Sequence, residues 1–210
     1  MILAVDVGNS STTIGLFNAN GVPVFLSDIE TNKNKSSDQC AIDLLGVFHL
    51  YQADIREVRG GIVSCVVPPL TASITGAVTR LIGRSPLLVG PGIKTGLNIR
   101  SDLHNQLGGD LVASSVAAMA KYPSPVVVID MGTANTFSLL RGGVYEGCAI
   151  CPGVRLGLEA LSERAAELPH ISLECPPTPL GRNTVDAMRS GVLYGNAGMV
   201  DSMIARFEEA

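Results

Sequence analysis

The chain begins with MILAVDVGNSSTTIGLF (1–17), a stretch in which Asp6 carries the one charged side chain. Asp6 is followed by Gly8, Asn9 and four hydroxyl residues, Ser10 to Thr13. Apolar and β-branched residues on both sides of this polar cluster favour two strands, and Gly8 and Asn9 favour a turn between them. The stretch therefore predicts a strand that ends in a carboxylate beside a turn of small polar residues.

The same pattern recurs in VVVIDMGTANTFSLL (126–140), where Asp130 takes the position of Asp6. In both copies the second apolar run is followed by turn residues and a third apolar run. In the first copy the turn contains Asn20-Gly21, a pair typical of tight hairpins. Each copy thus predicts a three-strand antiparallel meander, and helical patterns come next in both. The repeat predicts an α/β protein of two similar halves.

The spacing of apolar residues and the positions of capping residues predict the remaining elements. We predict the halves as residues 1–107 and 108–210, connected by the turn-rich segment 90–110. After its first helix, the first half continues into a strand, a helix and another strand. The second half stops after two helices, so we expect it to lack its final segment. The predicted helices cover 37–51, 68–82, 111–121, 152–168 and 185–208, and further strands cover 61–67 and 86–89.

The composition excludes several functional classes. The 210 residues are 46% hydrophobic and only 16% charged, which allows a large core. The net charge of -4 and the lack of a Lys/Arg run predict no nucleic-acid partner. Apolar runs stay shorter than the ~18 residues of a membrane span, and no basic segment precedes the first one, so we expect neither membrane insertion nor secretion. Five scattered cysteines, including the isolated Cys148-x-x-Cys151, favour reduced thiols and a cytoplasmic location.

Both acidic turns carry the kinds of groups that bind phosphate. Glycine lets backbone N–H groups approach phosphate oxygens closely, and hydroxyl and amide side chains add donors. A carboxylate repels phosphate, so each Asp would act through a hydrated Mg²⁺ or a monovalent cation. The alternative is that both residues only cap turns. The pair favours phosphate binding and resembles the arrangement in the acetate and sugar kinase, chaperone and actin superfamily, which implies a duplicated ribonuclease-H-like (actin-like) fold with a nucleotide cleft between the halves.

Several stretches make the resemblance specific, because they occur in one family's order along nearly the whole chain. The chain resembles the type III pantothenate kinases. The matching stretches are DVGNSSTTIGLF, VVPPLT, GPGIKTGLNIR, GGDLV, VVVIDMGTANTF, YEGCAICPGVRLGLEAL, RAAELP and GRNTVDAMRSGVLYG. The resemblance implies a homodimer that transfers the γ-phosphate of ATP to the hydroxyl group of pantothenate, at the start of coenzyme A biosynthesis. It also implies Mg²⁺ and a monovalent cation, K⁺ or NH₄⁺.

The resemblance further implies roles for particular residues. Asp110 would be the catalytic base, Asp6 would hold Mg²⁺ through water, and Asp130 would bind the monovalent cation. By spacing alone, Asp110 is more typical of an N-cap for a helix that begins at Leu111, and the two roles are compatible. The implied ATP contacts are Asp6, Val7, Gly8, Asn9, Ser10, Ser11, Thr12, Thr13 and Thr133, and the implied substrate contacts are Gly108, Gly109, Asp110, Leu111 and Thr184.

Two positions depart from the family's Gly-Ala-Asp-Arg substrate motif. Gly109 replaces the Ala, and Leu111 replaces the Arg that helps to hold pantothenate. The loss of a charge-assisted hydrogen bond costs about 1.5–3 kcal/mol, or roughly 10- to 150-fold in affinity. Two alternatives follow: a catalytically weak or inactive relative that binds a ligand as a regulator, or a kinase for another small hydroxyl acceptor. Leu111→Arg is expected to raise pantothenate affinity, and the candidate substitutes for the lost cation are Arg100, Arg155 and Arg182.

Overall fold

The computed structural model describes residues 1–90, 93–100 and 106–209, so part of the predicted connecting segment lies outside the described residues. The described residues form two compact units. The first contains those up to Leu97 and from Gln106 to Ala117, and the second contains Asn98–Arg100 and those from Ala118 onwards. The domain ranges 1–107 and 108–210 stay a prediction.

A five-stranded sheet organises the first unit. β1 (Ile2–Val7), β2 (Ser11–Phe17) and β3 (Pro23–Glu30) form an antiparallel meander. β4 (Gly60–Cys65) lies parallel to β1, and β5 (Leu87–Leu88) lies parallel to β4. The strand order β3-β2-β1-β4-β5 is that of a ribonuclease-H-like unit, which confirms the predicted fold class.

The turn between β2 and β3 forms where the Asn-Gly pair predicts it. Gly21 has φ +74°, a region that glycine enters without a steric cost. The Asn18 side chain accepts hydrogen bonds from the N–H groups of Asn20 and Val22 at 2.9 and 3.1 Å. These bonds satisfy the turn backbone and fix the register of the two strands.

Two helices pack on one face of this sheet. α1 (Ser37–Leu50) begins with a capping box in which Ser36 and Gln39 each hydrogen-bond the other's backbone N–H. α2 (Pro68–Ile82) begins with a proline, whose missing N–H is not needed at this position. A single 3-10 turn, Ile55–Glu57, lies between α1 and β4.

Alternate residues of the strands face opposite sides of the sheet. Val5 and Val7 of β1 and Val63 of β4 are at most 2% exposed and belong to the core that α1 and α2 share. Asp6 and Ser64 alternate with these valines in sequence. They therefore face the side of the sheet away from α1 and α2.

A four-stranded sheet organises the second unit and repeats the meander. β7 (Val126–Met131), β8 (Ala134–Arg141) and β9 (Val144–Pro152) are antiparallel, and the glycines of the turn Gly142-Gly143 both have positive φ. The short β6 (Asn98–Ile99) lies parallel to β9, which gives the order β6-β9-β8-β7. β6 was not predicted, because its two residues fall within a turn-rich segment.

Three further helices belong to the described chain. α3 (Gly109–Lys121) leads into β7, and α4 (Val154–Arg164) and α5 (Thr184–Glu209) follow the second meander. Within the described residues, none of the helices combines the length and the apolar character that a membrane crossing needs.

The helix predicted over 152–168 was wrong at both ends. Pro152 is the last residue of β9, and the chain leaves the helix at Ala165, which has φ −106° and ψ 107°. Leu168 contributes instead to a small apolar cluster, so its apolar side chain is satisfied without a longer helix. The buried members of this cluster are Leu158, Met188 and Val192.

Candidate active site

Two polar side chains lie together near the carboxyl ends of β1 and β4. The parallel register pairs Asp6 with Ser64, and neighbouring strands lie about 4.8 Å apart. Asp6 is exposed, whereas Ser64 is only 6% exposed. Ser64 was not among the predicted site residues, because only the pairing of β4 with β1 brings it beside Asp6. The sequence predicts the strand over 61–67 but not its pairing with β1, so the place of Ser64 beside Asp6 emerges only from the fold.

Asp110 lies in the first turn of α3. The helix begins at Gly109 rather than at Leu111, and the Gly108 carbonyl accepts the Val112 N–H at 3.1 Å. The interpretation of Asp110 as an N-cap is therefore wrong. Within the first turn the helix dipole favours a carboxylate. The Oδ1 atom of Asp110 accepts a hydrogen bond from the Leu111 N–H at 2.8 Å.

The start of α3 packs directly on the sheet at Gly109. A Cβ atom added there would lie 2.8 Å from the Val89 carbonyl oxygen and 3.3 Å from Ser64 Oγ. The first distance is shorter than a real Cβ contact allows, so the turn comes this close only because the residue is glycine. Gly109 therefore brings Asp110 to the side of the sheet that carries Asp6 and Ser64.

Asp6 and Asp110 interact electrostatically. The pKa of Asp6 is raised, chiefly because protein atoms around its carboxyl group remove part of its hydration. The Ser64 hydroxyl group opposes this and lowers the pKa, while the negative charge of Asp110 raises it further. Ser64 Oγ is itself buried and makes no hydrogen bond of regular geometry with the described residues. The site thus combines two carboxylates with a buried hydroxyl group that lacks such a bond.

The turn after β1 presents small polar side chains. A hydrogen bond from the Gly8 N–H to the Ser11 carbonyl closes it at 2.9 Å. Asn9, Ser10 and Ser11 are exposed. Residues of this size leave room for a phosphate group to approach the turn backbone.

The other residues of the predicted phosphate loop hold the turn in the sheet. Val7 is buried at 1% exposure. The Thr12 and Thr31 hydroxyl groups are hydrogen-bonded at 2.8 Å, and the Thr13 hydroxyl donates to the Asp28 carboxylate at 2.5 Å. These side chains support the turn, whose own side chains remain exposed.

The second acidic turn belongs to the second unit. Asp130 and Thr133 are exposed there. Gly153 is the N-cap of α4, and a Cβ atom on it would collide with the carbonyl oxygens of Gly132 and Thr133. The start of α4 therefore packs against this turn, and the positive end of a helix favours a nearby anion.

Thr184 is the exposed first residue of α5. The helix is capped by Asn183, whose Oδ1 atom accepts the Asp186 N–H at 2.9 Å. An open groove of the second unit is lined by Thr184 together with Leu168 and Arg182, among others. Thr184 thus stands at the edge of a surface groove rather than in the core.

The chain shares its sequence pattern with a known protein family. The family model described as type III pantothenate kinase matches residues 2–206. This chain belongs to the type III pantothenate kinase family. It is 36% identical over 209 residues to the type III pantothenate kinase of Moorella thermoacetica, a match that covers 99% of this chain and 82% of the relative. Membership confirms the predicted family and the predicted ATP-dependent phosphorylation of pantothenate in coenzyme A biosynthesis.

The fold of this type III pantothenate kinase family member also resembles a solved structure. A conserved Baf family protein from Campylobacter jejuni, named for transcriptional activation, matches with a TM-score of 0.58 at 18% identity. The match covers 95% of this chain and 78% of that protein. At this level of identity the likeness concerns the fold alone, and it extends across both units.

Leu111 stands where the resemblance to the type III pantothenate kinases implies an arginine. Leu111 is 9% exposed, so its side chain is buried. Of the candidate replacement cations, Arg100 forms an ion pair with Glu146 at 2.9 Å, while Arg155 and Arg182 are exposed. A buried leucine side chain packs and donates no hydrogen bond, so it cannot take the part that the resemblance implies for an arginine at this position.

The oxygen atoms of the first-unit site suit the divalent cation that a kinase of this family implies. Hard cations prefer carboxylate and hydroxyl oxygens, and a cation would offset the repulsion between Asp6 and Asp110. No group of three or more His, Cys, Asp and Glu side chains able to enclose a metal occurs among the described residues. The fit is therefore to an open site completed by water and phosphate oxygens, as Mg²⁺ commonly uses.

Proposed function

We propose that the chain transfers the γ-phosphate of ATP to the hydroxyl group of pantothenate and forms 4'-phosphopantothenate. The observation that carries this proposal is the interaction of Asp6 with Asp110 on one side of the first-unit sheet, in a chain of this kinase family. Phosphoryl transfer needs positioned phosphates, neutralised charge and a carboxylate that orients the attacking hydroxyl group. The two carboxylates supply the last two requirements separately, one by holding a cation and the other by accepting a proton.

Asp110 is the proposed general base. The hydrogen bond from the Leu111 N–H holds its Oδ1 atom, and the start of α3 fixes its backbone against the sheet. The Oδ2 atom would accept the proton of the acceptor hydroxyl group as that group attacks the γ-phosphorus. General base catalysis of this kind contributes about 10²- to 10⁴-fold in rate.

The turn from Asp6 to Thr13 is the proposed phosphate loop, with Asn9, Ser10 and Ser11 as its exposed donors. Asp6 would hold hydrated Mg²⁺, which when bound supplies charge neutralisation to the phosphates. In the second unit, Asp130 is the proposed ligand of K⁺ or NH₄⁺, and Thr133 is the proposed ATP contact.

The acceptor is proposed to bind at Gly108–Leu111 and at Thr184. The burial of Leu111 favours a second candidate function, a kinase for another small hydroxyl acceptor, because this side chain offers pantothenate no hydrogen bond. The same observation would suit a relative that binds its ligand without turnover and acts as a regulator. These candidate functions are distinguished by which acceptor the protein phosphorylates, if it phosphorylates one.

We also propose a homodimer and a cytoplasmic location, both of which rest on resemblance to the family. Static light scattering after size-exclusion chromatography tests the first, and a mass of one chain would contradict it. Fractionation of the native host tests the second, and recovery outside the cytoplasm would contradict it.

The deciding experiment is a phosphotransfer assay in which acceptor and monovalent cation are varied independently. With ATP, Mg²⁺ and K⁺, we expect phosphopantothenate to form. Absence of this product under every cation condition would remove the proposal. ATP turnover with a different hydroxyl acceptor would favour the second candidate, and calorimetric binding of ATP or pantothenate without turnover would favour the regulator.

A further inference from the structure

Ser64 lies between the strand end that carries Asp6 and the turn that carries Asp110. It is the register partner of Asp6 across β1 and β4. From the other side, a Cβ atom built on Gly109 would lie 3.3 Å from Ser64 Oγ, so the start of α3 passes close to this hydroxyl group. The residue therefore adjoins both parts of the site.

The Ser64 hydroxyl group interacts with the Asp6 carboxylate, but no hydrogen bond of regular geometry joins the two groups. The Oγ atom of Ser64 is buried and has no such bond with any other described residue. Burial of a polar group without a partner is unfavourable, and such groups are uncommon in folded proteins. An acceptor lies beside it, because Ser64 already interacts with the Asp6 carboxylate.

We propose that Ser64 is a positioning residue that acts through Asp6. Its hydroxyl group donates a hydrogen bond to one oxygen of the Asp6 carboxylate when a metal–nucleotide complex binds, and this fixes the direction of the other oxygen. Ser64 Oγ is buried, so it orients Asp6 without touching the nucleotide. The inference rests on the proposed function in one respect, namely that Asp6 faces the cation of the bound nucleotide.

Serine suits this position for two physical reasons. Alanine would fit the space but has no donor. A longer or branched side chain would extend towards the start of α3, where a Cβ atom built on Gly109 would already lie 3.3 Å from Ser64 Oγ. Position 64 therefore needs a side chain that is both small and able to donate.

The test is a double-mutant cycle between Ser64→Ala and Asp6→Asn, in which calorimetry measures the binding of Mg²⁺ with a non-hydrolysable ATP analogue. With Asp6 present, Ser64→Ala is expected to weaken binding about 10-fold, the cost of a hydrogen bond to a charged group. In the Asp6→Asn background the loss should fall to about 2-fold or less, because the neutral amide no longer holds the cation.

Two further variants separate positioning from a merely structural role. Ser64→Cys keeps a weak donor in an unbranched side chain that is only slightly larger, and it should recover part of the lost affinity. Ser115→Ala is the matched control, since Ser115 is 0% exposed in α3 and its Oγ atom also lacks a hydrogen bond within the described chain. This control should bind the nucleotide as the wild type does.

Three results would overturn the inference: unchanged binding in Ser64→Ala, an equal loss in both Asp6 backgrounds, or the same loss in Ser115→Ala. The readout does not depend on the acceptor. A wild-type protein that binds the nucleotide but makes no phosphopantothenate removes the proposed function and leaves the inference standing. A wild-type protein that does not bind the nucleotide would contradict both the proposed function and the inference about Ser64.

Discussion

Asp110 lies close enough to Asp6 for its negative charge to raise the pKa of the Asp6 carboxyl group, in the same direction as the larger effect, which is the partial loss of hydration around that group. A carboxyl group with a higher pKa in the folded than in the unfolded chain holds its proton more tightly when folded. Ionised Asp6 therefore lowers the free energy of unfolding above its folded pKa, and this cost disappears as the pH falls below that value. The first unit therefore has a lower free energy of unfolding with ionised Asp6 than it would have with a neutral side chain at this position.

Asp6→Asn should raise the melting temperature of the nucleotide-free protein at about pH 7, because the amide carries no charge to desolvate or to repel Asp110. The gain should shrink at about pH 4, where the folded wild type takes up the proton. Calorimetric melting curves at the two pH values measure both effects.

Asp54→Asn is the control with the opposite sign. Arg56 hydrogen-bonds the Asp54 carboxylate and lowers its pKa, so this carboxylate stabilises the fold above its unfolded pKa and stops doing so as the pH falls. Asp54→Asn should therefore lower the melting temperature slightly at about pH 7. A lower melting temperature for Asp6→Asn at that pH would contradict the account of Asp6.

Gly109→Ala should destabilise the first unit, although the family's motif has alanine at this position. The added Cβ atom would lie 2.8 Å from the Val89 carbonyl oxygen, so the start of α3 would have to move. Overpacking of this kind costs about 1–3 kcal/mol, which urea unfolding measures.

Gly46→Ala is the matched control for the glycine change. Gly46 lies inside α1, and a Cβ atom there would meet nothing within 4 Å. Alanine should stabilise the helix by about 0.5–1 kcal/mol. If Gly109→Ala is as stabilising as Gly46→Ala, then the contact with Val89 does not constrain the turn.

Leu111→Arg should lower the free energy of unfolding, because Leu111 is 9% exposed and lies near the positive end of α3. We expect a loss of at least about 1 kcal/mol. Leu111→Met, which conserves volume and apolar character, should cost less than about 1.5 kcal/mol and keep the pantothenate affinity of the wild type. Urea unfolding ranks the two variants, and a fully stable Leu111→Arg would show that the side chain reaches solvent.

The affinity of Leu111→Arg for pantothenate is measured by titration at a temperature below the melting temperature of the variant. A rise in affinity would show that the arginine reaches the acceptor in spite of the cost of its burial. An unchanged affinity in the folded variant would contradict the expectation drawn from the family motif.

The meanders and the turns at Asp6 and Asp130 could be predicted because their signals are local. Each depends on apolar runs, turn glycines and an acidic residue within about twenty positions, and the internal repeat made each copy support the other. The end of α4 before Ala165 was missed because a leucine at position 168 continues the apolar pattern of the helix. In the structure Leu168 lies in a loop and packs against an apolar cluster instead.

The contacts of Ser64, Gly109 and Leu111 could not be read from spacing. The pairing of Ser64 with Asp6 depends on which strands become neighbours, and the burial of Leu111 depends on how closely α3 packs on the sheet. The same closeness removes the space for a Cβ atom at position 109. Such properties arise from packing between segments that are distant in sequence, for which a single sequence carries no direct signal.

We propose that Asp110 accepts the proton of the acceptor hydroxyl group, and the rate at which Asp110→Asn forms phosphopantothenate shows whether it does. Asp38→Asn is the matched control, since Asp38 is also an acidic residue in the first turn of a helix. We predict that Asp110→Asn lowers kcat about 10²- to 10⁴-fold while magnesium–nucleotide binding persists and Asp38→Asn keeps the wild-type rate. Phosphopantothenate formation by Asp110→Asn at the wild-type rate would show that Asp110 is not the general base.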